Sequence, residues 1–207
     1  FAEESGAKPL LEDGDARVWA LSSASLCLLE RVGVGSRVVR HAPYQGMQVW
    51  SRDGRGVLDF GDLEQAHSDQ ERTLLGSMVE PSVLSLALQH VMQEQLGASY
   101  LQSKKLKNIE RFSEHWSVTL ESGESYQTPL VIGADGAGSM VRTLASIQVE
   151  QLDYKQMALT CAIRTEKPHG GIARQVFLPS GPLAFLPLAN HENQPINEKD
   201  CWQSVVW

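Results

Sequence analysis

Between Val131 and Arg142 the chain reads Val-Ile-Gly-Ala-Asp-Gly-Ala-Gly-Ser-Met-Val-Arg, with three glycines inside six residues, one acid, and an apolar and basic continuation. Glycines at this density let a backbone approach a ligand closely, and a helix starting near Ser139 would aim free amides and a positive dipole end at an anion. Asp135 has two roles open to it: accepting hydrogen bonds from ribose or ribitol hydroxyls, or from neighbouring backbone amides. An ordinary strand-to-helix connection capped by Ser139 explains the same letters. The spacing is neither G-x-G-x-x-G nor G-x-x-x-x-G-K-[ST], so the common dinucleotide and triphosphate fingerprints are absent from the stretch.

Other chemistry-bearing residues are sparse. His41, His67, His90, His115, His169 and His191 are scattered, and Cys27, Cys161 and Cys201 form no C-x-x-C, so neither pattern indicates a metal site or a disulfide framework. Ser139 lacks a G-x-S-x-G frame and no nucleophile arrangement stands out, which disfavours a hydrolase. Phe177 to Leu188 is aromatic and apolar enough to line a pocket for a prenylated ring, and core strands explain it equally well.

The elements that must hold these residues follow from periodicity. Leu21 to Val32 has apolar side chains at 21, 26, 28, 29 and 32, which predicts a short helix capped by Ser22 or Ser23 and stopped by Gly33. Asp53-Gly54 predicts a hairpin between strands at about 46–51 and 56–61. Residues 61–73 lack periodicity and read as a loop. Pro81 to Gly97 predicts a helix with Leu84, Ala87, Leu88, Val91, Met92 and Leu96 on its apolar face. Trp116, Val118 and Leu120 alternate with polar residues before a turn at Ser122-Gly123, and the second arm is expected to end in a doubly covered strand, Leu130-Val131-Ile132. From about Asp153 short strand-like segments are broken by prolines and glycines, which predicts a β-rich module, and 190–200 reads as a polar loop.

Composition bounds the rest. The chain has 207 residues, is 42% hydrophobic and carries a net charge of −7, enough apolar material for a real core and the wrong sign for phosphate-backbone binding. No nucleic-acid partner is expected. Cysteine usage fits a reducing compartment. No apolar run approaches the roughly 20 residues of a membrane-spanning helix. Phe1 is not a natural start and Val205-Val206-Trp207 reads as the middle of a strand, so a piece of a longer protein is expected.

An apolar strand, then Gly-Ala-Asp-Gly, two spacers, Ser139 and the apolar-Arg ending at Arg142 resembles the "DG" motif of the flavin-dependent aromatic hydroxylases. Residues 17–34, 44–50 and 78–88 resemble that family's next landmarks, and 163–188 resembles the substrate-domain strands of its ubiquinone-biosynthesis branch, the UbiI/UbiH-type polyprenylphenol hydroxylases. The resemblance implies an α/β (α+β overall) fold: a partial FAD/NAD(P)-binding Rossmann-like domain from 1–40 and 71–150, and a p-hydroxybenzoate-hydroxylase-like substrate domain from 41–70 and 151–207. It implies FAD contacts for Glu3 (with Glu4 as the alternative), Arg17, Asp135, Gly136 and Arg142. Glu80 sits where the family often has an acid followed by Asn; Pro81 replaces that Asn, and an N-cap role for Glu80 is expected.

The same resemblance implies an FAD-dependent monooxygenase that uses NAD(P)H and O2, through a flavin C4a-hydroperoxide, to hydroxylate a polyprenylphenol ring. No catalytic side chain is implied, since the flavin carries the chemistry. A cytoplasmic location is expected, with peripheral contact at the inner face of the membrane and with other ubiquinone-biosynthesis proteins left open. The family's N-terminal G-x-G-x-x-G and its later Gly-Asp segment are not in these 207 residues, so the chain by itself is expected to bind FAD weakly or not at all and to be inactive. The alternatives are a non-catalytic ligand-binding module of the same fold and an FAD-dependent prenyl-lipid reductase.

Overall fold

The computed structural model describes residues 14–61, 74–189 and 201–207. Glu3, Glu4, most of the loop expected at 61–73 and the loop expected at 190–200 lie outside the described residues. Two compact units separate among the rest: residues 14–95 with Met157–Trp207, and Leu96–Gln156.

The larger unit opens with β1 (Trp19–Ser22) running directly into α1 (Ser23–Arg31). Ser22 caps α1 by accepting the Ser25 amide at 3.3 Å, and Gly33 ends it at φ +78°, a left-handed turn that suits glycine. The helix expected here has one buried face, and it is only half-buried: Leu21 and Leu29 pack on the core at intermediate exposure, Leu26 is half-buried and Leu28 is exposed. β2 (His41–Tyr44), β3 (Gly46–Ser51), β4 (Val57–Gly61), β5 (Gly76–Val79) and α2 (Pro81–Leu96) follow. β1 and β2 flank β5, antiparallel on both sides, which leaves Pro43 on an edge strand where its missing N–H is tolerated.

Helix α2 matches its predicted span. Leu84, Ala87 and Val91 are buried with Val34 and Val79, while Leu88 and Leu29 pack against them. Full burial of such aliphatic side chains stabilises by about 1.5–3 kcal/mol each, so this cluster anchors α2 to β5.

The C-terminal strands β9 (Thr160–Arg164), β10 (Ile172–Leu178), β11 (Gly181–Pro187) and β12 (Trp202–Val206) join β3 and β4 in a six-stranded sheet ordered β4-β3-β10-β11-β12-β9. Every neighbour pair is antiparallel except β3 with β10. Met47 and Ala173 are register partners, so they share a face; with Leu186, Leu188 and Trp202 they pack on Ala42 and Met78 from the other sheet and on Val18, just before β1. The Asp53-Gly54 turn forms as expected, with Gly54 at φ +69° and its amide bonded to the Ser51 carbonyl at 3.0 Å.

In the smaller unit β6 (Leu106–Arg111), β7 (Trp116–Leu120) and β8 (Ser125–Thr128) form an antiparallel meander, turned at Gly123 with φ +89°. β8 stops at Thr128. The strand expected at Leu130-Val131-Ile132 does not form: no described strand pairs with it, and Leu130 and Ile132 are 65% and 78% exposed. A strand is made by its partners, and Pro129 brings no amide to start a ladder. The glycine stretch therefore follows a largely exposed segment outside any described strand, and then α3 (Met140–Leu144) begins.

Candidate functional site: the Asp135 turn and the Arg17 segment

The turn before α3 is organised by one carboxylate. Asp135 accepts the Ser139 hydroxyl at 2.5 Å on Oδ1, and the Met140 and Val141 amides at 2.7 and 3.1 Å on Oδ2. Ser139 Oγ in turn accepts the Arg142 amide at 2.9 Å as N-cap of α3. The Met140, Val141 and Arg142 amides are orphans of a helix start, which explains why the sequence needs an acid and a serine four residues apart. The Ser139 hydroxyl, followed by the Val141 and Met140 amides, holds the Asp135 carboxyl down at about 2, so it is ionised across the physiological range. Of the two roles left open by the sequence, Asp135 here performs the second, bonding its own backbone.

The glycines then differ among themselves. A Cβ on Gly133 would lie 3.0 Å from Val141 Cβ and Cγ1, so this glycine lets the strand-side backbone close onto α3. Gly136 sits at φ +84°, and a Cβ there or on Gly138 would meet nothing within 4 Å. That side of the turn is open. Arg142 folds back, donating from Nη2 to the Ala137 carbonyl at 2.6 Å, which leaves it bracing the loop.

In the larger unit Arg17 is exposed, two residues before β1, on a segment fixed on either side. The Asp15 amide donates to Glu80 Oε2 at 2.6 Å, and the Ala16 carbonyl accepts the Ser204 hydroxyl. Glu80 corrects its expected role. Its carboxylate does not cap α2; it is 3% exposed and paired with Arg40, while Asp15 supplies the cap by accepting the Ser82 amide at 2.7 Å. Pro81 has no N–H, so the Ser82 amide is the first that can be capped, and an acid arriving from a remote segment reaches it where Glu80 does not. Sequence reasoning missed Asp15, Arg40 and Ser204. Asp15 carried only the signal of an acid two residues from Arg17.

Arg17 and Glu80 belong to one compact unit, Asp135, Gly136 and Arg142 to the other. Of the histidines, His41 shares a 2.8 Å hydrogen bond with Ser77 Oγ, and burial lowers its pKa below the usual histidine value. His169 is 1% exposed, its Nδ1 accepting the Gly171 amide at 3.0 Å, which makes it part of a tight turn. No group of three or more His, Cys, Asp or Glu able to hold a metal occurs among the described residues, and no described helix is long and apolar enough to cross a membrane.

This fold is that of the p-hydroxybenzoate-hydroxylase-like, FAD-dependent aromatic monooxygenases. The chain superposes on p-nitrophenol 4-monooxygenase PnpA of Pseudomonas putida with a TM-score of 0.68 at 16% identity, covering 99% of this chain and 49% of that one. On an HpxO variant of Klebsiella pneumoniae solved with FAD the score is 0.62 at 14% identity, covering 94% and 48%. Sequence relatives are more specific. The chain is 34% identical over 196 residues to 3-demethoxyubiquinol 3-hydroxylase of Escherichia coli, covering 93% of this chain and 46% of that protein. It is 32% identical over 209 residues to the mitochondrial ubiquinone biosynthesis monooxygenase COQ6 of Danio rerio, covering 95% and 40%. The chain is thus homologous to the hydroxylases of ubiquinone biosynthesis, as its motifs suggested, and spans less than half the length of these relatives. No family model matches it.

Each unit, taken by itself, exposes donors of a kind that FAD takes. An open glycine turn with unobstructed backbone at Gly136 and Gly138, and an exposed guanidinium at Arg17, are the donor types that diphosphates and sugar hydroxyls take.

Proposed function

We propose that the protein to which this chain belongs is an FAD-dependent monooxygenase that hydroxylates the ring of a polyprenylphenol in ubiquinone biosynthesis. The observation that carries the reading is the near-complete alignment with ubiquinone-pathway hydroxylases, 93% of this chain at 34% identity for one of them. In the overall reaction the ring C–H becomes C–OH, O2 supplies one oxygen to the ring and the other to water, and NAD(P)H supplies two electrons. When bound, FAD carries those electrons from NAD(P)H to O2.

The chain's own residues bind and orient. Arg17 would hold phosphate oxygens of FAD, whose geometry its planar fork matches. The Gly136–Gly138 backbone would admit the cofactor without side chains in the way. Asp135 and Arg142 hold that backbone in shape through Ser139, the Met140 and Val141 amides and the Ala137 carbonyl. The division into an FAD-binding part (1–40, 71–150) and a substrate part (41–70, 151–207) belongs to this reading. So do peripheral contact with a membrane, a cytoplasmic setting and association with other ubiquinone-pathway proteins.

The test is flavin reconstitution of the protein in its full natural length. A yellow protein whose NAD(P)H oxidation accelerates with a prenylated phenol and yields a hydroxylated product supports the proposal. A protein that stays colourless with excess FAD contradicts it, and binding of a prenylated phenol without flavin would favour a ligand-binding module instead.

A further inference from the structure

Between β5 and α2 the Glu80 side chain turns inward. Arg40 Nη2 donates to Oε2 at 2.8 Å and Arg40 Nε lies 2.7 Å from Oε1, an ion pair with both residues nearly fully buried, 2% and 3% exposed. Oε2 also takes the Asp15 amide at 2.6 Å. The Asp15 carboxylate then reaches the Ser82 amide at 2.7 Å, and the next carbonyl, of Ala16, is held by Ser204 Oγ. The ion pair thus holds Asp15, the first of two consecutive clamped residues, and the next residue after Ala16 is Arg17, with its side chain exposed.

Stability is a poor reason for such a pair. Removing two charges from water costs about as much as their attraction returns, and apolar residues of similar volume often serve as well or better. Geometry is a better one. A carboxylate held in place by a guanidinium keeps its free acceptor sites in fixed directions, and the one on Oε2 is taken by the Asp15 amide.

We infer that Arg40 and Glu80 are positioning residues that fix the 14–17 segment against the start of α2 and so set the direction of Arg17. The inference rests on the reading of Arg17 as a phosphate-facing group, but the clamp is measurable without any ligand. Two double variants separate geometry from stability. Arg40→Met with Glu80→Met removes both charges and the acceptor; Arg40→Met with Glu80→Gln removes the charges but keeps an acceptor for the Asp15 amide.

The experiment is thermal unfolding together with residue-resolved amide exchange and Arg17 relaxation by NMR. Both variants should keep a cooperative transition. In the Met/Met variant the Asp15 amide should exchange faster by about tenfold or more, as expected for loss of a hydrogen bond to a charged acceptor, and Arg17 should become more mobile. The Met/Gln variant should recover most of that protection. Unchanged protection and order at residues 15–17 in Met/Met, or no recovery in Met/Gln, would overturn the inference. Loss of the cooperative transition in both would also overturn it, by making the pair a general structural requirement.

An Asp15→Ala variant probes the other side of the clamp without touching the charges: exchange at Ser82 and mobility at Arg17 should rise together, and a rise at Ser82 alone would count against the inference. In a flavin titration Met/Met and Arg17→Met should lose similar affinity, and the triple variant no more than either. A full-length protein that binds no FAD in any form, with the exchange pattern intact, would remove the cofactor reading and leave the clamp standing.

Discussion

Replacing Gly136 and Gly138 one at a time by alanine separates backbone strain from obstruction of the open side of the turn. At both positions the new methyl meets no atom within 4 Å, so neither variant suffers a clash. They differ in backbone: Gly136 is left-handed at φ +84°, whereas Gly138 is outside that region. Alanine in the left-handed region costs about 1–2 kcal/mol, so Gly136→Ala should lower the melting temperature of its unit by at least about 4 °C, at the ~4–8 °C per kcal/mol usual for a small domain. Gly138→Ala should stay within about 0.5 kcal/mol of the parent, as surface changes without strain do. Flavin affinity should not follow stability. If the turn lies against the cofactor, a methyl on Gly138 intrudes where the fold itself has room, and affinity in the full-length protein should fall about tenfold, the effect of roughly 1.4 kcal/mol, with melting unchanged. Urea or thermal unfolding followed by circular dichroism, beside a flavin-fluorescence titration, reads both quantities. Equal melting temperatures for the two variants would refute the strain argument, and undiminished flavin affinity in Gly138→Ala would refute placement of this turn at the cofactor.

Three further outcomes follow from the geometry. Because the folded-state pKa of Asp135 is held at about 2, below its unfolded value, its stabilisation is present above about pH 4 and disappears as pH falls through about 2. The stability difference between the parent and Asp135→Asn should therefore shrink to nothing across that window in an acid titration of unfolding. Leu188, 1% exposed between the two sheets of the larger unit, should cost about 2–5 kcal/mol when cut to alanine, measured by urea unfolding. A Cβ on Gly61 would fall 2.0 Å from the Gln45 carbonyl at φ +78°, so Gly61→Ala should disrupt β3–β4 pairing, seen as faster amide exchange in Met47 and Phe60.

Local signals in the sequence translated well into elements. The 3.6-residue spacing of Leu84, Ala87, Leu88 and Val91 specified α2, and Asp53-Gly54 specified the hairpin, because each depends on neighbours in the chain. Pairings between distant residues were not legible. β10 runs parallel to β3 from more than a hundred residues away, and β2 hides Pro43 on an edge that only the sheet order reveals. Polar strands escaped for a related reason: in β6 only Ile109 is buried, so the apolar alternation that marks a strand is missing. Leu130-Val131-Ile132 misled in the opposite sense, since apolar letters announce a strand only where a partner exists.

At the candidate site the same division holds. Asp135, Ser139 and Arg142 lie within eight residues of one another, and their local bonding accounts for the turn's composition. Arg40 and Asp15 looked like ordinary surface charges and Glu80 like a helix cap, because nothing in a one-dimensional pattern distinguishes a solvated acid from one that meets its arginine 40 residues away in a dry interior.

The central claim, oxygen insertion into a phenol ring, is tested most directly with isotopically labelled O2. The full-length protein, loaded with FAD and supplied with NAD(P)H and a prenylated phenol, should place one labelled oxygen in the new ring hydroxyl, detected by mass spectrometry of the product. A hydroxylated product carrying oxygen from water, or NAD(P)H oxidation that leaves the ring unchanged and reduces a double bond of the prenyl chain instead, would contradict the account.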